Sequence, residues 1–326
     1  MLLAIDIGNS RIKWALFHGL DCRSVGYFIT RDFQPADPAA YDFEPTSYPD
    51  LPASAGGWHA QHGAPESGAL RAVAGIAVCS VAHGEAEAAV LAHLQAQGLP
   101  VLPVWRVLSR AAACGVHNGY AQPERLGADR WAALVAARHL GICDMAVNAT
   151  NDGSDTDRGG DGNRCSGSLQ TASVIVMAGT ATTVDALDGD GRFLGGYILP
   201  GLRLMPKSLY ERTAGIRPDE GQWAEFPTGT ADAVASGVLA ATAGAVAGMV
   251  LRLQTRSGSI SASPAKPTSD HHARATDQPR VVLSGGNGPA LASRLSELKL
   301  VHTYERDLVL HGIARLHQSR LSHAPA

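Results

Sequence analysis

The N-terminal stretch holds the feature that most constrains the fold of this chain, an apolar run that stops at a carboxylate. Residues 2–5 are apolar, Asp6 follows them, and a Gly-Asn-Ser turn occupies residues 8–10. From residue 11 to residue 16 the large apolar side chains Ile12, Trp14 and Leu16 alternate with Arg11, Lys13 and Ala15, which is typical of a β-strand. Glycine and asparagine supply the backbone conformations that a tight turn needs. The pattern therefore predicts a β-hairpin.

Asp6 ends the first strand of this hairpin, where the strand itself requires no charge. A carboxylate beside exposed N–H groups and a hydroxyl favours binding of Mg²⁺ and phosphate. An ordinary surface hairpin, with Asp6 as a turn residue, fits this stretch equally well.

Residues 174–187 repeat the same order of an apolar strand, a glycine, hydroxyl residues and a β-branched strand. Aligning Gly8 with Gly179 places Asp6 opposite Met177. The tip residues then correspond as Asn9 with Thr180 and Ser10 with Ala181. Repetition at this separation predicts two similar lobes, each opening on a strand–turn–strand. Two such turns facing each other would hold a polyphosphate.

Composition narrows the classes of function. The chain has 326 residues and a net charge of −3, which predicts one or two compact units and no general surface for nucleic acid. Its five cysteines are scattered without ligand spacing, as in a reducing cytosol. The start of the chain lacks the basic region of a signal peptide. Residues 233–251 are uncharged but rich in Ala and Gly, so we expect a packed helix and no membrane span.

Periodicity and turn residues predict the order of the remaining elements. We expect strands at 22–30, 72–80, 101–107, 174–176, 183–187, 193–198 and 281–284, and helices at 85–97, 128–139, 202–213, 233–251 and 289–298. Strands alternating with helices indicate sheets covered by helices. We expect an N-terminal lobe at 1–140 and a C-terminal lobe at 172–318. Residues 147–171 and 255–279 are polar, low-complexity insertions, the first of them disordered.

Five short motifs, in order along the chain, carry a resemblance to a known family. They lie at residues 6–10, 127–130, 179–183, 195–201 and 284–287. With these motifs the chain resembles the type III pantothenate kinases, also described as Bvg accessory factor-like, of the actin, sugar kinase and heat-shock chaperone ATPase superfamily. The resemblance implies an α/β fold of two ribonuclease H-like lobes, with mixed sheets, covering helices and a nucleotide cleft between the lobes. It also implies ATP-dependent phosphorylation of pantothenate to 4′-phosphopantothenate in the cytoplasm, the first step towards coenzyme A.

The same resemblance, with the chemistry of the side chains, gives a set of candidate site residues. For ATP and Mg²⁺ the candidates are Asp6, Gly8, Asn9, Ser10, Lys13, Gly179, Thr180 and Thr182, with Asp6 holding Mg²⁺ through water. For pantothenate they are Tyr120, Gly127, Ala128, Asp129, Arg130 and Thr230, with Asp129 as the catalytic base. Structural alternatives are an outward strand lysine for Lys13, a charge that complements a helix dipole for Asp129, and a helix N-cap for Thr230.

Departures from the family pattern leave some points open. Many members have an aspartate where Met177 stands, and it helps to bind K⁺ or NH₄⁺; a thioether is a poor ligand for these ions, so no residue is assigned to the cation. Asn287 replaces a common aspartate and Ser10 a common threonine.

The family forms homodimers. Another small-molecule kinase of the superfamily, or a nucleotide-binding regulator without kinase activity, remain alternatives, and the presence of Asp6, Asp129 and Arg130 argues against the regulator.

Overall fold

The computed structural model describes residues 1–30, 61–81, 84–148, 171–217, 219–260 and 278–322. The chain divides into two compact units. Unit 1 comprises Met1–Ser109, Gly127–Ala132 and Val309–Ala326, and unit 2 comprises Arg110–Leu126 and Ala133–Leu308. Most of the two predicted insertions, together with residues 31–60, lie outside the described residues.

The secondary structure alternates strands and helices along the chain. The strands are β1 (Leu2–Ile7), β2 (Arg11–His18), β3 (Asp21–Ile29), β4 (Gln61–His62), β5 (Gly75–Ser80), β6 (Val104–Arg106), β7 (Ala112–Ala113), β8 (Val116–His117), β9 (Ser173–Ala178), β10 (Ala181–Leu187), β11 (Phe193–Pro200), β12 (Arg280–Ser284) and β13 (His302–Tyr304). The helices are α1 (Ser67–Arg71), α2 (Gly84–Ala96), α3 (Ala128–Asn148), α4 (Leu204–Arg212), α5 (Thr230–Ile260), α6 (Gly288–Glu297) and α7 (Leu308–Ser322). A 3₁₀ turn spans Pro123–Arg125.

Unit 1 is built on a six-stranded sheet in the order β4-β3-β2-β1-β5-β6. The strands β1, β2 and β3 form an antiparallel meander, and β5 and β6 add to the other side of β1 in parallel. One face of the sheet packs its apolar residues with α1 and α2 in a buried core that includes Ile5, Trp14 and Val90. This is the predicted N-terminal hairpin extended into a mixed sheet.

Unit 2 repeats that arrangement with the strand order β11-β10-β9-β12-β13. Here β9, β10 and β11 form the meander, and β12 and β13 extend it in parallel. In both units a helix connects the two parallel strands, α2 between β5 and β6 and α6 between β12 and β13. The predicted α/β fold class, with two similar lobes of mixed sheet and covering helices, is therefore confirmed.

The long helix α5 forms one side of the core of unit 2. Its buried residues, among them Val246 and Leu253, pack with β9, β12 and α6. Within the described part of the chain, Thr230–Arg256 is the stretch long and apolar enough to cross a membrane, and 44% of its apolar window is buried. Because these residues pack against the sheet, the prediction of a packed helix fits the structure.

Two helices are longer than the sequence predicts. Helix α3 continues to Asn148, and α5 continues to Ile260 inside the expected insertion 255–279. Once a helix is formed, each added residue costs little and gains a hydrogen bond. The strand β6 is shorter than predicted, because Val101 is 86% exposed and lies outside the sheet.

The C-terminal helix α7 belongs to unit 1, although it follows unit 2 in the chain. Its His311 ring packs edge-on against Phe17 of β2, with centroids 5.4 Å apart, and His317 packs against Trp105 of β6 at 5.7 Å. The predicted boundaries at 1–140 and 172–318 therefore differ from the structural units. Residues 110–126 and 133–140 lie in unit 2, since contacts between elements distant in sequence decide the division.

Candidate active site

In unit 1 Asp6 lies near the end of β1, on a face shared with one basic and one sulfur-containing side chain. It pairs with Lys13 across the antiparallel β2 and with Cys79 across the parallel β5. Laterally paired residues of neighbouring strands project to the same face of a sheet. Asp6 and Lys13 are both partly exposed, whereas Cys79 is buried. This face thus presents a carboxylate and an ammonium at one strand end.

The turn after β1 is held by hydrogen bonds, among them two from Thr30, the residue that follows β3. The amide of Gly8 donates to the Arg11 carbonyl at 3.0 Å. The buried Thr30 donates its hydroxyl to the Gly8 carbonyl at 2.7 Å and its amide to the Ser10 carbonyl at 3.3 Å. Asn9 and Ser10 are exposed at the tip. The predicted phosphate-binding tip is therefore held rigidly while its side chains face solvent.

The corresponding turn in unit 2 is fixed by different residues. The amide of Gly179 donates to the Ala181 carbonyl at 3.0 Å, and the amide of Gly201 donates to the Thr180 carbonyl at 2.9 Å. The Asn287 side chain donates from Nδ2 to the Gly179 carbonyl at 3.1 Å. Thr180 is exposed at the tip. Asn287 therefore supports the turn, a role that its motif alone did not indicate.

The two turns differ in length, and this corrects the alignment of their sequences. Ile7 pairs with Ile12 in unit 1, whereas Ala178 pairs with Thr182 in unit 2, so the second turn is one residue shorter. The alignment through Gly8 and Gly179 therefore cannot extend beyond the tip. A shift of one residue in a strand moves a side chain to the opposite face.

Thr182 lies on the buried face of β10 as a result of this register. It is two residues before Val184, a member of the unit 2 core, and it is fully buried. Its hydroxyl has no hydrogen-bond partner among the described residues. Thr183, which pairs with Met177, lies on the other face. Of the predicted phosphate ligands in unit 2, Gly179 and Thr180 are thus at the turn, and Thr182 points to the core side.

The start of α3 carries the predicted pantothenate motif and belongs to unit 1. The amide of Trp131 donates to the Gly127 carbonyl at 2.9 Å and closes the first helical turn. Oδ1 of Asp129 accepts a hydrogen bond from the Arg130 amide at 2.8 Å. Ala128 and Asp129 are partly exposed, and Arg130 is buried. This bond orients the carboxylate and leaves its second oxygen outside the contact.

The thiol of Cys79 connects the two carboxylates of unit 1. Burial raises the pKa of Cys79 well above its usual value, and the charges of Asp6 and then Asp129 raise that pKa further. An effect from both carboxylates on one thiol requires that both lie near it. Asp6, the strand partner of Cys79, and Asp129, in the first turn of α3, thus both belong to unit 1 and both act on this thiol, although they are far apart in sequence.

Tyr120 and Thr230, the remaining predicted substrate residues, belong to unit 2. Tyr120 stacks on Phe193 of β11 with ring centroids 5.6 Å apart, and its amide donates to the Asn118 side chain at 3.0 Å. Thr230 is exposed at the first position of α5. Both side chains thus lie on fixed backbone.

The donors of unit 1 fit Mg²⁺ bound partly by water. Among the described residues no group of three or more His, Cys, Asp or Glu could hold a metal ion. Mg²⁺ in phosphoryl-transfer sites is commonly bound by one or two carboxylates, waters and substrate phosphates. The partly exposed Asp6 satisfies that requirement.

The chain is similar to proteins of one family over most of its length. The family model described as type III pantothenate kinase matches residues 2–147 and 165–252. The type III pantothenate kinase of Methylibium petroleiphilum is 38% identical over 263 residues, covering 79% of this chain and 83% of that protein. The type III pantothenate kinase of Leptothrix cholodnii is 33% identical over 325 residues, covering 98% of this chain and 97% of that protein. A solved structure from Campylobacter jejuni, described as a Baf family transcriptional activator, aligns with 98% of this chain and 99% of its own, with a TM-score of 0.49 and 16% identity.

Proposed function

Since this chain belongs to the type III pantothenate kinase family, we propose that it transfers the γ-phosphoryl group of ATP to the hydroxyl of pantothenate. The product is 4′-phosphopantothenate, and the reaction is the first step towards coenzyme A. The observation that carries the proposal is the pair of carboxylates in unit 1, with Asp6 near the end of β1 and Asp129 oriented in the first turn of α3. A kinase needs one acidic group for the metal and one for the acceptor hydroxyl.

Asp129 is the proposed catalytic base. The pantothenate hydroxyl oxygen attacks the γ-phosphorus as the bond from that phosphorus to the β–γ bridging oxygen breaks, and ADP leaves. Asp129 accepts the hydroxyl proton. Its fixed bond to the Arg130 amide, at 2.8 Å, supports this role, because a base must be held within hydrogen-bond reach of the acceptor.

The turn residues and Lys13 are the proposed phosphate ligands. Exposed Asn9, Ser10 and Thr180, with the backbone at Gly8 and Gly179, are suited to donate hydrogen bonds to phosphate oxygens. Lys13 shares the face of Asp6 and offsets phosphate charge. Mg²⁺, held by Asp6 through water, would neutralise charge on the β- and γ-phosphates.

Activation by K⁺ or NH₄⁺ is part of the proposal, and Met177, whose thioether is a poor ligand for these ions, is not assigned to the cation. Met177 is partly exposed beside Thr183 and Ser284 on the unit 2 sheet. Oxygen donors are needed for either ion. Turnover with and without each cation, at constant ionic strength, tests this point, and equal rates would remove the cation from the proposal.

We also propose that the chain acts as a homodimer in the cytoplasm, without nucleic acid or membrane. None of the side chains of helix α4 is fully buried, and its Leu204 and Leu209 are exposed. Ile198, on the edge strand β11, is also exposed. Apolar side chains of this kind are suited to pack against a second copy. Light scattering coupled to size exclusion should give twice the mass of the chain, and a monomer at micromolar concentration would contradict the proposal.

A coupled assay of ADP release tests the proposed reaction. Pantothenate should support turnover with ATP and Mg²⁺, whereas simple sugars should not. Turnover with a sugar but not pantothenate would favour another small-molecule kinase. Binding of ATP without turnover on pantothenate, pantetheine or sugars would favour a nucleotide-binding regulator.

A further inference from the structure

A short segment before α5 is tied to two helices at consecutive residues. This segment, Gly221–Ala224, is called the strap below. The amide of Gln222 donates to Asp232 Oδ1 at 2.8 Å, and the amide of Ala224 donates to Ser236 Oγ at 2.9 Å. Asp232 and Ser236 are four residues apart in α5, so they lie on one face of the helix. That face of α5 therefore accepts two hydrogen bonds from the backbone of the strap.

Between these two hydrogen bonds the Trp223 ring covers a buried arginine of α6. The Arg294 guanidinium carbon lies 3.6 Å from the ring centroid, which is within the range of a cation–π contact. Arg294 is 8% exposed and forms an ion pair with Glu297. Its Nη1 has no hydrogen-bond partner among the described residues. The aromatic face is thus an attractive contact for a charge that has lost its water.

The strap reaches the backbone next to Thr230. Gly221 packs so closely on Ala231 that a Cβ atom there would overlap the Ala231 carbonyl. Asp232, which binds Gln222, is two residues after Thr230. Two contacts from consecutive residues, Gly221 and Gln222, therefore hold the first turn of α5, where Thr230 is exposed.

The geometry points to Trp223 and Arg294 as positioning residues that, through the strap, hold Thr230 in place to bind the acceptor substrate. This inference rests on the proposed function, because it takes pantothenate as that substrate. Neither residue touches substrate in this account; each acts through the first turn of α5. Loosening the strap lets Thr230 move, so it weakens binding of the acceptor and leaves the ATP-binding residues unchanged.

Steady-state kinetics of Trp223→Ala and Arg294→Met test this inference. The KM for pantothenate should rise about threefold to thirtyfold, the factor that a cation–π contact contributes, while kcat and the KM for ATP stay close to those of the parent. Trp223→Tyr should restore most of the affinity, since it keeps an aromatic face. Phe226→Ala is the matched control, because Phe226 is an 82% exposed aromatic residue next to the strap.

A double-mutant cycle with Thr230→Val decides whether the strap acts through Thr230. Trp223→Ala should add little to the KM of Thr230→Val, because the residue it positions has already lost its hydroxyl. Additive effects, or an unchanged KM in a parent that phosphorylates pantothenate, would overturn the inference and leave the proposed function standing. A parent without pantothenate-dependent turnover would overturn both.

Discussion

The first hairpins of the two units share a backbone plan but carry opposite chemistry. In unit 1 the strand end presents Asp6 beside Lys13 and Cys79, and in unit 2 the same place holds Met177 beside Thr183 and Ser284. The sheets have the same strand order apart from the short edge strand β4, which only the sheet of unit 1 contains. The comparison teaches that the repeat conserves the frame, whereas the acidic chemistry belongs to unit 1 alone at this position.

The support beneath each turn also differs. Thr30 directly follows β3 in unit 1 and donates its hydroxyl to the Gly8 carbonyl. Gly201, after β11, makes the corresponding backbone bond to Thr180, and a Cβ atom there would overlap the carbonyl oxygens of Gly179 and Thr180. Asn287 supplies the side-chain bond instead. Unit 1 thus supports its turn with the side chain of Thr30, whereas the corresponding position in unit 2, Gly201, has no room for a side chain.

The largest effect is expected for Asp129→Asn, which removes the base of unit 1. The turnover number should fall about a hundredfold to ten-thousandfold, the contribution of a positioned acid or base. Asparagine keeps an oxygen that can accept the Arg130 amide, so folding and ATP affinity should be retained. Asp21→Asn, at an exposed carboxylate of β3, is the control, and parent-like turnover in Asp129→Asn would remove the base assignment.

A smaller loss is expected for Asp6→Asn, which makes the strand end of unit 1 resemble the uncharged end of unit 2. Activity should fall about tenfold to a hundredfold, as for other residues that hold a metal indirectly, and more Mg²⁺ should be needed for half-maximal rate. Met177→Leu should change little, because it exchanges one apolar side chain for another of similar volume. Equal losses in the two variants would contradict the assigned asymmetry.

Gly201→Ala tests the support of the turn in unit 2. The added methyl group meets two carbonyl oxygens, so the free energy of unfolding should fall by about 1–3 kcal/mol. Thr30→Ala in unit 1 should cost about 0.5–1.5 kcal/mol through the lost hydroxyl bond. Urea denaturation measures both. Gly237→Ala, at an exposed helical glycine with open space around it, is the control and should stabilise; a neutral Gly201→Ala would show that the turn yields.

The smallest effect is expected at the ends of the equivalent helices α2 and α6. The two helices end with equivalent backbone hydrogen bonds. The Leu99 amide donates to the Leu94 carbonyl after α2, and the Leu300 amide donates to the Leu295 carbonyl after α6. The residue in the left-handed conformation is Gly98 in unit 1, with φ of 110°, and Lys299 in unit 2, with φ of 56°. Glycine is preferred there, so Lys299→Gly should stabilise by about 0.5–1 kcal/mol. A loss of stability in thermal unfolding would contradict this.

Local patterns predicted most of the frame. The two hairpins, the helix at Ala128 and the crossover strands each have a period or a turn signal of their own. The ends of α3 and α5 were missed because low-complexity residues still extend a helix that tertiary packing has already formed. The place of α7 in unit 1 depends on contacts such as His311 with Phe17, which no local pattern contains.

The candidate site was predictable only in part. The motifs predict Asp6 and Asp129 as site residues, but no local pattern predicts that Asp6 pairs with Cys79, since that depends on the pairing of β1 with β5. The hydroxyl of Thr182 predicts a phosphate ligand, whereas its burial follows from a turn one residue shorter than its counterpart in unit 1. The support by Thr30 had a weak signal, a threonine at the end of the third strand.

Phosphorus NMR of the reaction product tests the central claim most directly. The chain is incubated with ATP, Mg²⁺ and pantothenate, and the phosphorus spectrum of the products is recorded. The account predicts ADP and a phosphate monoester coupled to the methylene protons of the 4′ position, in equal amounts. ADP with free inorganic phosphate, or no consumption of ATP that depends on pantothenate, would contradict it.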